Sequence, residues 1–169
     1  MRTLPLVLTA AGLSAAAAPA LAADLQVTVE IPRISSASYH RPYVALWIER
    51  ADQTNARTLA VWYDQALPNG EGKDWLKDLR TWWRKGGRAM AMPADGVSGP
   101  TKAPGRQTVT ISGARLRDLP AGQYTLVAEA ARELGGREVV RVPFRWGAAN
   151  TGSASGSTEL GVVRVAVTR

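Results

Sequence analysis

The residue best placed by type and context to do chemistry is Thr101, which closes the stretch Asp95-Gly96-Val97-Ser98-Gly99-Pro100-Thr101. Two glycines and a proline in seven residues argue against an interior helix or strand, and Ala103-Pro104-Gly105 continues the run of turn formers. Such a loop is expected to stand clear of the body and to offer one nucleophilic oxygen to another enzyme's active site. The rest of the chain holds few alternatives. It has 169 residues, no cysteine and one histidine, His40. Disulfides, thiolate metal sites, a haem-attachment motif and a histidine-based triad or metal cluster are therefore excluded within the chain. Asp64, Glu71 and Asp74 are free carboxylates, but their spacing gives no reason to pair them, and no nucleophile motif supports a hydrolase.

The stretch resembles the acceptor motif of proteins that carry FMN covalently through a threonine phosphoester. That motif reads Asp, two variable residues, Ser or Thr, Gly, usually Ala, then the acceptor. Asp95, Ser98 and Gly99 match it, Thr101 falls at the acceptor position, and Pro100 stands where Ala is usual. The resemblance implies that a separate FAD:protein FMN transferase activates the Thr101 hydroxyl, and that Asp95 and Ser98 orient the loop for it.

The elements expected to position this loop are mostly strands. Asp24 to Ile31 alternates, with Val27, Val29 and Ile31 on one face, as a half-buried strand does. Pro32 ends it, and a polar link carries Tyr39-His40-Arg41-Pro42. His40 there is either a hydrogen-bonded loop histidine, the commoner case, or a flavin or phosphate contact. Tyr43 to Arg50 and Arg57 to Asp64 form a hairpin, whose alternation puts Trp47 and Trp62 together opposite the main aliphatic set. Such a face caps the core edge or stacks on an isoalloxazine ring. Lys73 to Lys85 has helical spacing in Trp75, Leu76, Leu79, Trp82 and Trp83, with a basic opposite face that includes Arg84. Gly86-Gly87 supplies the stop. The stripe is expected to pack over a sheet; Trp75, Trp82, Trp83 and Arg84 are also the candidate contacts for a flavin, a membrane surface or a partner protein.

Ala89 to Gly105 reads as the acceptor loop, followed by a strand from Arg106 to Ser112. Leu119-Pro120-Ala121-Gly122-Gln123-Tyr124 resembles the turn of immunoglobulin-like sandwiches in which a tyrosine hydrogen-bonds back to upstream backbone. The strand it enters runs to Arg132. Gly135-Gly136 makes a hairpin turn, and Pro143 marks the returning strand, Arg137 to Trp146, as an edge or bulged one. Residues 147–157 read as a flexible loop, and Glu159 to Thr168 as the last strand. The expected fold is an all-β, immunoglobulin- or fibronectin-like sandwich of about seven strands with one inserted amphipathic helix.

Residues 1–22 read as a cleavable secretory signal: Arg2, an apolar run, then Ala20-Leu21-Ala22. The expected product is a periplasmic chain from residue 23 to 169 in one domain, with the helix and acceptor loop inserted at 68–105. Arg2 is the only charge in the signal, so the remainder keeps 20 of 21 basic residues and all 14 acidic ones, a net +6. The charges are spread along the chain, which points away from nucleic acid.

Almost all of residues 23–169 resembles the exported bacterial family called domain of unknown function 2271. The phrases that carry it are Tyr39-His-Arg-Pro-Tyr-Val-Ala45, Arg57-Thr-Leu-Ala-Val-Trp-Tyr-Asp64, Trp75-Leu-Lys-Asp-Leu-Arg-Thr-Trp-Trp83, Asp95-Gly-Val-Ser-Gly99 and Leu119-Pro-Ala-Gly-Gln-Tyr-Thr-Leu126. The resemblance implies an extracytosolic flavin system: covalent FMN on Thr101, the transferase as modifying partner, and a membrane-bound PepSY-type reductase or another periplasmic redox protein as electron partner. The alternative is a cofactor-free, immunoglobulin-like docking module of such a system.

Overall fold

In a computed structural model, which describes residues 23–168, two sheets face each other across a shared apolar core. The expected signal, residues 1–22, lies outside the described residues. Strands β1 (Asp24–Ile31), β2 (Tyr43–Glu49), β3 (Asn55–Tyr63), β4 (Ser98–Pro100), β5 (Gly105–Ile111), β6 (Gly122–Ala131), β7 (Arg137–Trp146), β8 (Asn150–Ser155) and β9 (Val162–Thr168) make the framework. One sheet has the order β5-β1-β9-β8 and the other β4-β3-β2-β6-β7. All pairings are antiparallel except β3 with β4. The all-β sandwich agrees with the sequence reading.

The first sheet keeps a simple alternation because only its inner face is covered. Leu25, Val27, Val29 and Ile31 of β1 and Val163, Val165 and Val167 of β9 are buried, with Gln26, Glu30, Val162 and Arg164 outside. In the second sheet β2, β3 and β6 are covered on both faces, while the edge strand β7 keeps its alternation. Val44, Leu46 and Ile48 join the core between the sheets, while Ala45 and Trp47 join a second cluster with Leu76, Leu79 and Trp82 of the inserted segment. Strands covered on both faces lose their alternating polarity, and every residue from Val44 to Glu49 is buried.

Two carboxylates hold the inserted segment to this outer face. Glu49 accepts from Trp47 Nε1 at 3.0 Å and is paired with Lys85 at 2.7 Å and Arg141 at 2.6 Å. Burial alone would push the Glu49 carboxyl up, but Lys85, Trp47 and Arg141 outweigh that and hold its pKa below the ordinary carboxylate value. Glu129 accepts the backbone N–H groups of Thr81 at 3.0 Å and Trp82 at 2.8 Å, and pairs with Arg137 at 2.6 Å. It thereby satisfies the N-terminal donors of helix α1 (Arg80–Arg84), whose own flanking residue, Leu79, provides no side-chain cap.

Several expectations are corrected. The helix from Lys73 to Lys85 is not continuous: Pro68–Asp78 forms 3-10 turns, broken at Asn69 and Gly70, before α1. Leu76, Leu79 and Trp82 are spaced by three, the repeat of a 3-10 turn, and stack inward. Trp75 falls off that line and is 52 % exposed. Trp47 and Trp62 lie on opposite faces, because the β2–β3 register shifts between Leu46 and Trp47 and puts Trp62 in the core between the sheets. Residues 150–155, expected to be loop, form β8 on the edge beside β9. The acceptor loop contributes β4, so nine strands stand among the described residues where about seven were expected.

Other expectations hold. Tyr124 Oη donates to the Pro120 carbonyl at 2.8 Å, closing the corner turn. Pro143 lies on β7, an edge strand. Gly86 has φ 148, and a Cβ on Gly87 would lie 2.6 Å from the Trp82 ring, so both glycines are needed where α1 stops. The β6–β7 turn differs in detail: its left-handed residue is Leu134 (φ 54), and the two glycines follow it.

Candidate functional site

At one end of the second sheet the start of β2, the ends of β3 and β4, the β6–β7 turn and the inserted segment surround a groove of about 1160 Å³. This exceeds the range of about 300–1,000 Å³ usual for small-molecule sites. Thr101 lies on its wall, half-buried. Its backbone N–H donates to the Tyr63 carbonyl at 3.2 Å, and its side chain takes part in no hydrogen bond among the described residues.

The motif around Thr101 is more ordered than a free loop. Val61 N–H donates to the Val97 carbonyl at 2.9 Å, and Ser98, Gly99 and Pro100 pair with Val61, Trp62 and Tyr63. In a parallel pair alternate residues bond to the neighbouring strand. Val97, Gly99 and Thr101 are those residues, so Ser98 and Pro100 turn their backbone to the open edge. The missing N–H of Pro100 therefore costs no ladder bond, and proline belongs at such an edge. Ser98 Oγ accepts from Ala94 N–H at 2.9 Å and closes the preceding turn. A Cβ on Gly99 would meet the Trp62 ring at 3.2 Å, so this glycine lets the edge strand pack against that indole. Asp95 is exposed and does not come to Thr101: it lines a separate hollow of about 590 Å³ beside Arg57, Lys85 and Arg115.

The candidate contacts divide in the same way. Trp75 joins Thr101 on the groove wall. Trp82 is fully buried and donates its indole N–H to Thr58 Oγ1 at 3.1 Å, so its faces are occupied by the core. Trp83 packs half-buried against the second cluster, and Arg84 is exposed; neither reaches the groove. His40 does reach it, with Nδ1 3.4 Å from Glu133.

Folding adds further groove residues to these candidates. Tyr39 and Tyr43 contribute aromatic wall, and burial pushes the Tyr43 phenol up, so it is neutral near pH 7. Arg41 and Arg80 are exposed on the rim and make no ion pair among the described residues. Arg132 and Arg137 come from the two ends of the β6–β7 turn. Gly72 lets the inserted segment close against the end of β3, since a Cβ there would lie 1.7 Å from the Asp64 carbonyl oxygen. The Tyr39-His40-Arg41 phrase and the basic face of the expected helix, which includes Arg80, were the local signals for this wall; β6, β7 and the inserted segment meet through sheet order.

The arrangement is a concave surface with aromatic walls, an arginine rim and the uncommitted Thr101 hydroxyl, suited to a planar ring with an anionic group. Among the described residues no group of His, Asp and Glu is placed to hold a metal ion, and no helix is long and apolar enough to cross a membrane. Comparison with curated proteins and with solved structures returns no match. Residues 24–162 match the family described as "Predicted periplasmic protein (DUF2271)", and the chain belongs to that family.

Proposed function

We propose that this is an exported electron-transfer flavoprotein that carries FMN covalently on Thr101. The observation that carries the reading is the position of Thr101: the motif's acceptor residue, its hydroxyl uncommitted, lies on the wall of the large groove. In the attachment step Thr101 Oγ attacks the FMN phosphorus of FAD. The new bond is the Thr101 phosphoester, the bond to the AMP phosphate breaks, AMP leaves, and the hydroxyl proton passes to a base of the transferase. This chain needs no base of its own for that step.

The groove residues fit the group. Trp75, Tyr39 and Tyr43 offer aromatic surface, and Arg41 and Arg80 offer exposed cations for phosphate. The bound flavin supplies the redox chemistry, and the protein supplies position, shielding and electrostatics. The electron partner is a membrane-bound PepSY-type reductase or another periplasmic redox protein. A second reading, a cofactor-free docking module, draws on two exposed apolar side chains at the groove, Trp75 and Leu134 (78 % exposed).

The test is intact mass after co-expression with the transferase. A gain of one FMN less water, absent in Thr101→Ala, is the expected result. An unmodified wild-type chain beside an active transferase refutes the carrier reading and leaves the docking one.

A further inference from the structure

Two sheets have four edges, and three of the four are protected. β7 and β8 close against each other. Glu138 on β7 takes N–H groups from the link that follows β8. A Cβ on Gly152 of β8 would lie 2.6 Å from the Pro143 carbonyl oxygen, and Asn150 Oδ1 accepts Arg145 N–H at 3.1 Å. The third edge, β4, is three residues long and carries Pro100. Short strands, prolines and local cover are the usual means by which a sheet edge is kept from pairing with another chain.

β5 has none of these. It ends the first sheet, and among the described residues it pairs only with β1. Its seven residues keep register with β1 without a shift. It holds no lysine and no proline, and Thr108, Val109 and Thr110 are of the β-branched type that favours strands. Val109 is half-buried against the core between the sheets. The chain reaches β5 from β4 through residues 101–104, so this edge lies on the side of the sandwich away from β7 and β8.

We infer that β5 pairs antiparallel with β5 of a second copy of this chain, joining two four-stranded sheets into one continuous sheet. The charges indicate this occupant. On the outer face of β5, β1 and β9 two acids, Asp24 and Glu30, accompany two bases, Arg106 and Arg164, so the face is neutral although residues 23–169 carry a net +6. A strongly acidic or basic partner finds no complement here, and a second copy meets no excess of like charge. The strand also complements itself. Thr108 is its midpoint, so a two-fold axis there pairs all seven residues and keeps outer side chains beside outer ones. Arg106 falls opposite Thr110, Gln107 opposite Val109, and Thr108 opposite its own copy. Arg106 already stands in register with Glu30 of its own chain and faces no cation across the joint. Thr108 Oγ1 lies 3.2 Å from Thr28 Oγ1, and pairing extends these two hydroxyls into a row of four. The inference rests on neither functional reading above.

The experiment is sedimentation velocity on the exported chain, in a concentration series reaching about 1 mM, enough to populate even a weak complex. Wild type is expected to pass from monomer to dimer. Thr108→Lys and Thr108→Glu each place like charges opposite one another at the axis, on an exposed side chain. Each is expected to weaken dimerisation about fivefold. An equal mixture of the two variants places opposite charges there and is expected to recover association, which a merely structural loss would not allow. Thr151→Lys, exposed on the covered edge strand β8, is expected to dimerise as wild type does. A wild type that stays monomeric throughout the series overturns the inference. So does a dimer unchanged by both Thr108 substitutions, a mixture no tighter than either variant alone, or an equal loss in Thr151→Lys.

Discussion

Glu138 on β7 receives five donors from one short segment. Oε1 accepts Ser157 N–H at 2.7 Å and Ser157 Oγ at 3.1 Å; Oε2 accepts the N–H groups of Thr158, Glu159 and Leu160 at 3.0, 2.9 and 2.9 Å. The segment links β8 to β9 in the other sheet, so this carboxylate ties the two sheets together at one edge and fixes the backbone of Glu159 under Arg132. Partial burial alone would raise the Glu138 pKa. The backbone donors of Ser157, Leu160 and Thr158 outweigh it and hold it at about 2 against an ordinary 4.5. A carboxyl lowered that far contributes at most about 3 kcal/mol, and about 2 kcal/mol once solvent screening is allowed for. In Glu138→Gln one carboxylate oxygen becomes an amide NH₂ facing N–H groups, which costs a similar about 2–3 kcal/mol. The folded value lies below the unfolded one, so this stability is fully present above pH 4.5 and is lost as pH falls toward 2. Urea unfolding followed by tryptophan fluorescence should show Glu138→Gln about 2 kcal/mol less stable at pH 7, with the difference shrinking toward zero near pH 2. Glu49 adds its own loss on acidification, equally in both proteins. A variant within about 0.5 kcal/mol of wild type at pH 7, or a difference that does not change with pH, would refute the reasoning.

Glu129→Gln should destabilise by about 3 kcal/mol, because it breaks a buried pair with Arg137 and weakens the cap of α1; denaturant midpoints measure it, and a loss under about 1 kcal/mol contradicts the clamp. Tyr124→Phe should cost about 1 kcal/mol, one hydrogen bond to Pro120, in the same assay. Pro100→Ala should cost under about 1 kcal/mol, since its N–H would face the open edge and the loss comes from a freer unfolded chain. The same variant should accept FMN as wild type does, read by intact mass; loading gained only on substitution would show that Pro100 obstructs the transferase.

Much of the first sheet was legible. One-sided burial writes itself as alternation, and β1 and β9 show it plainly. The corner tyrosine and the edge proline were also visible, because each acts within a few residues of chain. The second sheet was harder. Cover on both faces erased the contrast between Trp47 and Trp62, and a register shift moved Trp62 to the other side. β8, Asn-Thr-Gly-Ser-Ala-Ser, has no apolar pattern because it pairs at an edge and buries little. In the acceptor stretch Thr101 stood out by its neighbours, while the parallel pairing of β4 with β3 joins residues far apart in the chain.

By itself the sequence determined the class of fold, the family phrases, the absence of cysteine chemistry and the residue worth watching, Thr101. These depend on residue type and near-neighbour spacing. Tertiary structure alone decided that Trp82 is core and Trp75 is exposed, that α1 takes its cap from Glu129, and that Tyr39, Arg80 and Arg132 line the same groove as Thr101. Each depends on strand order and on which backbone atoms approach closely, and packing between distant segments leaves no period in the chain from which to read it.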